Sequence, residues 1–212
     1  MLFQFHQNEF VEDFSTLKMY HEYLGDIWQF GDKIPGTSLV VSDHERTTAA
    51  DLVNMDDFIT IVPGAAWGQK EWSADKYADL IHRMEKPVVL LGAKKDKICF
   101  QIAEIVPSVF NLAGKTSLRE ALAVLSISSH IVGSDTGLTH AGEALGISVT
   151  MILGPTSPET GAGVHLDSST NIETELWCRP CSQNGKMPCY RKTQICMDSI
   201  SVPDVIQSLP PG

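Results

Sequence analysis

Between residues 58 and 153, short β-branched or apolar runs alternate with helical stretches of about ten residues, and this alternation limits the fold more than any other feature. The runs are FITIV (58–62), PVVLL (87–91), VFNLAG (109–114), HIVGSD (130–135) and ISVTMIL (147–153). Between them lie SADKYADLIHRM (73–84), DKICFQIAEIV (96–106), SLREALAVLS (117–126) and TGLTHAGEALG (136–146). Strands that alternate with helices close right-handed crossovers and build a parallel sheet covered on both faces. The punctuation agrees. Ser73 stands at a helix N-cap, Ser117 with Glu120 reads as a capping box, and Gly146 ends the helix that begins near Thr136. The expected fold is α/β, a doubly wound parallel sheet.

The flanks read differently. Phe10, Phe14, Leu17 and Tyr20 to Leu24 recur at helical spacing, which predicts an amphipathic helix over residues 8–24 ended by Gly25. The loop GDKIPG then leads to an expected strand TSLVV (37–41) and a short helix. Beyond Pro155 the pattern gives loop, a short strand, a cysteine-rich stretch and a final helix after Ser201, with Pro203 in its tolerant first turn. Charge narrows the partners. The chain has 26 acidic and 16 basic side chains, a net charge of −10, which speaks against nucleic-acid binding. Its longest apolar stretches fall well short of the roughly 18–20 residues of a membrane helix. The N-terminus lacks a basic region followed by an apolar core, so a soluble cytoplasmic protein is expected.

In open parallel sheets, ligands bind beyond the carboxyl ends of the strands. The loop Pro63 to Trp72 follows FITIV there. Gly64 and Ala65 let a backbone approach a ligand closely, and Lys70 offers a compact positive charge suited to phosphate. The turn from Gly133 to His140 leads from a strand into a helix. Its first amides, at Thr136, Gly137 and Leu138, have no helical partner and make an anion site suited to a diphosphate. Asp135 is expected at the N-cap and His140 one turn in. A third loop, Gly154 to Gly161, is stiffened by two prolines and lined with hydroxyls. Thr116, Ser117 and Leu118 open a helix at the same sheet edge, where a base or ribose fits.

Four of the five cysteines, Cys178, Cys181, Cys189 and Cys196, crowd into nineteen positions, while Cys99 stands alone and reads as a small core residue. Four thiolates so close in sequence suit a tetrahedral structural zinc, although only one CxxC pair is present; disulfides or free thiols are the alternatives. Arg179, Lys186, Arg191 and Lys192 are the only charged residues among these cysteines. They either offset thiolate charge or face a phosphorylated partner.

The segments PGAAWGQKEW (63–72), NLAGKTSL (111–118), SDTGLTHAGEALG (134–146), LGPTSP (153–158) and the four-cysteine tail, in this order, resemble glycosyltransferase family 9, the ADP-heptose:lipopolysaccharide heptosyltransferases. The resemblance implies a GT-B enzyme, of which residues 56–212 are the Rossmann-like C-terminal, donor-binding half and residues 1–55 a remnant of the N-terminal domain and interdomain segment. It implies that Lys70 and the amides of Thr136 and Gly137 hold the donor diphosphate, that Asp135 and His140 lie near the transferred sugar, that Thr116 to Leu118 lie near the adenine, and that Asp96 holds the ribose. Transfer from ADP-heptose to a lipopolysaccharide core or similar glycolipid needs no catalytic metal in this family, and the enzyme works in the cytoplasm or peripherally at the inner face of the membrane. The family's acidic general base belongs to an acceptor half that has no counterpart here, and Glu71 stands where the family often has arginine. A non-catalytic nucleotide-sugar-binding module, a subunit completed by a second polypeptide, and self-association are therefore also expected readings.

Overall fold

The apolar runs become strands because the inner ones are buried along their whole length, the pattern of a parallel sheet with both faces covered. In a computed structural model, which describes residues 16–25, 36–191 and 193–210, every position of β1 (Ile59–Val62), β2 (Val88–Leu90), β4 (His130–Ser134) and β5 (Val149–Ile152) is buried. The outer strands β3 (Phe110–Asn111) and β6 (Thr170–Ile172) are partly exposed. All six run parallel in the order β3-β2-β1-β4-β5-β6. The chain therefore leaves β3 at one edge and returns to pair β4 with β1, Ile59 opposite His130 and Val62 opposite Gly133. That reversal is the switch point of a Rossmann-like sheet, where a crevice opens beyond the strand ends.

Eight helices flank the sheet among the described residues: α1 (Thr16–Glu22), α2 (Asp43–Val53), α3 (Ala74–Arg83), α4 (Lys97–Ile105), α5 (Leu118–Ser126), α6 (Gly137–Ala144), α7 (Ile195–Asp198) and α8 (Val202–Gln207). Alternation along each strand divides the core in two. Val62, Val89, Val149 and Met151 pack with Ala49 and Val53 of α2 and Leu122 and Leu125 of α5. Ile61, Leu90, Val132 and Ile152 face the other way, against Tyr77 and Leu80 of α3, Ile102 of α4 and Val205 of α8. The helix starts follow the side chains expected of them. Ser73 Oγ accepts from the Lys76 amide, and Ser117 and Glu120 complete a reciprocal capping box.

Two flanking expectations change. TSLVV forms no strand; its Leu39 amide donates to the Ala144 carbonyl at 2.7 Å, and its Val40 carbonyl accepts from the Arg119 guanidinium. The sheet is edged by β3 and β6, and this segment runs past the end of α6 without pairing with either. Of the helix expected over 8–24, Thr16–Glu22 is helical, and residues 8–15 lie outside the described residues.

Candidate functional site

The β1–β4 pairing brings the ends of two strands side by side, and with them two loops far apart in sequence. Beyond β1, a short 3-10 turn at Gly68–Lys70 lifts Lys70 toward the neighbouring strand end. Its Nζ donates to Asp135 Oδ2 at 2.7 Å and to the Asp135 carbonyl at 3.1 Å. The pair is largely shielded, with 13% and 7% of the two side chains exposed. Asp135 does not cap α6, as the sequence had led us to expect. Thr136 is the N-cap, and the Asp135 carboxylate turns inward. Oδ2 also accepts from Thr156 Oγ1 at 2.9 Å, and Oδ1 lies 3.0 Å from His140 Nε2. Burial would push the Asp135 carboxyl up, but the bonds from His140, Lys70 and Thr156 outweigh it and hold the group at about 2. With Asp135 ionised, Nε2 is the ring nitrogen that carries a proton.

Turning the carboxylate inward leaves the helix end open. No side chain caps α6, and among the described residues the amides of Thr136, Gly137 and Leu138 donate to nothing. Gly137 is exposed, and beside it an open groove is lined by Thr37, Ser38, Leu39 and His140. Lys70 has three donors and spends two on Asp135, so one remains for a ligand. A lysine and a helix N-terminus with the dipole behind it favour an anion.

The other residues read from the sequence fall around this centre to different degrees. Gly64 is packed so closely that a side chain there would meet the Asp96 carboxyl carbon at 2.8 Å. Asp96 Oδ2 accepts from the amide of Ala93 in its own loop, 2.7 Å. The Ala65 amide is occupied by Glu71 Oε1 at 3.2 Å, so it is not open to a ligand as it stands. Burial pushes the Glu71 carboxyl up, the Ala65 amide opposes this, and the nearby Asp96 charge adds to it. Ser117 Oγ is spent on the capping box, Leu118 is exposed, and Thr116 is half-buried. These three sit beyond β3, two strands from β1, and no contact ties them to the Lys70–Asp135 group among the described residues.

The cysteine stretch differs from both charge readings at Arg179. Its guanidinium is buried, not aimed at thiolates or solvent, and donates to the carbonyls of Gly154, Thr174 and Thr156 and to Glu173 Oε2. All five cysteines are free thiols, and among the described residues no group of three or more His, Cys, Asp or Glu is arranged to hold a metal ion. The four-thiolate centre is therefore not assembled; Cys178 and Cys196 are buried, whereas Cys181 is exposed. Thr156 and Arg179 are the residues that the sequence did not mark as part of the site. The only signal for Thr156 was its place in the LGPTSP loop.

The model of glycosyltransferase family 9 (heptosyltransferase) matches residues 7–190. The chain belongs to this family. Among family 9 relatives, lipooligosaccharide heptosyltransferase 2 of Haemophilus influenzae is 33% identical over 125 residues, 54% of this chain and 36% of that protein. The corresponding protein of Campylobacter jejuni is 24% identical over 74% of this chain and 52% of its own length. The chain thus spans between a third and about half of these relatives. The solved structure of Escherichia coli ADP-heptose lps heptosyltransferase II superposes with a TM-score of 0.67 at 23% identity, over 84% of this chain and 54% of that one. A family 9 glycosyl transferase from Veillonella parvula gives 0.69 at 19% identity, over 90% and 57%. TibC of enterotoxigenic E. coli, described as an iron-containing dodecameric glycosyltransferase, gives 0.58.

Proposed function

We propose that this chain supplies the donor-binding half of a heptosyltransferase that moves a sugar from ADP-heptose to a lipopolysaccharide core or similar glycolipid. Residues 56–212 form the donor-binding unit in this reading and residues 1–55 a remnant of the N-terminal domain and interdomain segment, of which α2 packs into the donor unit's core. The observation that carries it is the pairing of Lys70 Nζ with Asp135, the residue directly before the open N-terminus of α6, at the β1–β4 switch point.

In the transfer step, an acceptor hydroxyl loses its proton to a carboxylate and its oxygen attacks the anomeric carbon. The bond from that carbon to the diphosphate breaks, and its electron pair leaves on the diphosphate oxygen. Lys70 and the amides of Thr136, Gly137 and Leu138 are fixed beforehand where this negative charge grows, so they stabilise it without reorganising. Thr116 to Leu118 and Asp96 would hold the nucleoside, and His140 would face the sugar. Asp135 is too acidic to act as the base, because a group held at about 2 has little affinity for a proton at neutral pH. Asp135 is thus not the base, which fits an enzyme completed by an acceptor half. A nucleotide-sugar-binding subunit is the second reading, favoured by the same observation. A second polypeptide, or self-association through the exposed Tyr20, Tyr23 and Leu24, would then supply what is missing. Work at the cytoplasmic face of the inner membrane would be peripheral, since among the described residues no helix is long and apolar enough to cross a membrane.

Calorimetric titration of the chain with ADP and UDP tests the site. ADP should bind in preference to UDP, and Lys70→Ala should weaken ADP by roughly ten- to a hundredfold. Unchanged ADP affinity in that variant removes Lys70 from the site. Turnover with donor and acceptor, in the absence of another polypeptide, would reject the subunit reading.

A further inference from the structure

The cysteine-rich segment does something that neither zinc nor charge balance accounts for: it holds the two ligand loops together from behind. Arg179 donates to the carbonyls of Gly154 and Thr156, on either side of Pro155, while the Pro155 carbonyl accepts from the amides of Cys181 and Ser182 at 3.1 and 3.3 Å. The loop beyond β5 is therefore fixed at three successive carbonyls, and its Thr156 hydroxyl is aimed at Asp135 Oδ2. Farther along, the segment reaches the loop beyond β1. Gln194 Nε2 donates to the Gln69 carbonyl, and the Lys186 ammonium lies 5.7 Å from the centre of the Trp67 ring. Between these points Gly185 turns with φ of +81°, its amide bonded to Ser182 Oγ at 2.9 Å. A side chain at Gly185 would lie 2.7 Å from Lys70 Cγ and 2.9 Å from Lys70 Cε. The bare backbone of Gly185 is thus the wall along which the Lys70 stem runs to Asp135.

We propose that this segment is a clasp, in which Arg179 and Gly185 are positioning residues for the anion site. Arg179 acts through Thr156 on the Asp135 carboxylate, and Gly185 acts on the path of Lys70; neither touches the ligand. An unbranched lysine stem has rotamer freedom that costs free energy to fix on binding. A glycine wall and a carboxylate locked from the far side fix it before the ligand arrives. The planar Arg179 fork suits several carbonyls at once, which a point charge does not. The inference rests on the donor-site reading above.

Two substitutions test it, Gly185→Ala and Arg179→Lys, each measured by calorimetry with ADP and with AMP and by thermal melting, which reads any loss of folding separately from the loss of affinity. ADP affinity should fall on the order of tenfold in each, through coupling between neighbouring groups. The ADP-to-AMP preference should narrow, because the disturbed lysine serves the diphosphate more than the nucleoside. Adding Gly185→Ala to Lys70→Ala should cost almost nothing further, since the stem it displaces is gone. ADP affinity equal to wild type, a parallel loss of ADP and AMP, or full additivity with Lys70→Ala would each overturn the clasp. A wild-type chain without ADP affinity would overturn the donor-site reading and this inference with it. A wild-type chain that binds ADP beside variants that bind it equally well would overturn this inference alone.

Discussion

Replacing Asp135 by Asn should destabilise the chain by an amount that depends on pH in a calculable way. The folded carboxyl titrates at about 2 against a reference of 3.8, because Lys70, His140 and Thr156 favour its charged form. The group is depressed, so its stabilisation is fully present above the unfolded value and is lost as pH falls toward the folded one. The difference amounts to about 2–3 kcal/mol at pH 7, falls to roughly half of that at pH 3 and is nearly gone by pH 2. No discount for solvent screening applies, since only 7% of the side chain is exposed. Asn keeps the shape and resembles the protonated acid, so Asp135→Asn should remove this contribution and little else. Urea unfolding of both proteins at pH 7 and pH 3 measures it as a change in midpoint at constant slope. Wild type should lead by about 2–3 kcal/mol at pH 7 and by roughly half of that at pH 3. A lead that is equal at the two pH values, or below about 0.5 kcal/mol at pH 7, would refute the argument that the charge of Asp135 is what this network stabilises.

Glu71→Gln should strengthen ADP binding about two- to fivefold, since it removes a half-buried negative charge from the loop that carries Lys70. Because burial raises the Glu71 carboxyl, wild-type affinity should rise as pH falls through its titration, and the variant should flatten that rise in a pH series of titrations. Gly133→Ala should cost about 1–3 kcal/mol in a melting or urea experiment, because the new methyl would meet Thr139 Oγ1 at 2.5 Å and the Val62 carbonyl at 2.9 Å in the middle of the sheet. Burial pushes the Cys99 thiol up to about 12, so iodoacetamide at pH 8 should label Cys181 and leave Cys99 unmodified in the folded chain, as mass spectrometry of the peptides would record.

The sheet was legible because its signal is local. ITIV, VVL and VTMI are runs that only a doubly covered strand can bury, and Ser73, Ser117 and Gly146 punctuate helices through bonds to residues three or four positions away. The open end of α6 was legible for the same reason, since helix geometry alone leaves those amides unpaired. The direction of the Asp135 side chain was not. Capping is what an aspartate before a helix does by default, and only the partners at Lys70, His140 and Thr156 draw it inward. Arg179 was misread in a similar way. Its neighbours in sequence are cysteines, but its partners in space are carbonyls up to 25 positions away. TSLVV shows the opposite failure, a segment with strand composition that lies against α6 and pairs with no strand.

The pairing of residues 59–62 with 130–133 has a consequence for biosynthesis. Lys70 and Asp135 become neighbours only after two intervening βα units have been made and the later strand has slotted in beside the first. A chain still on the ribosome with only β1, β2 and β3 emerged would carry much of the apolar core yet have no anion pocket at all. If the site binds nucleotide as proposed, that affinity is acquired late, and its appearance during translation would time the arrival of β4.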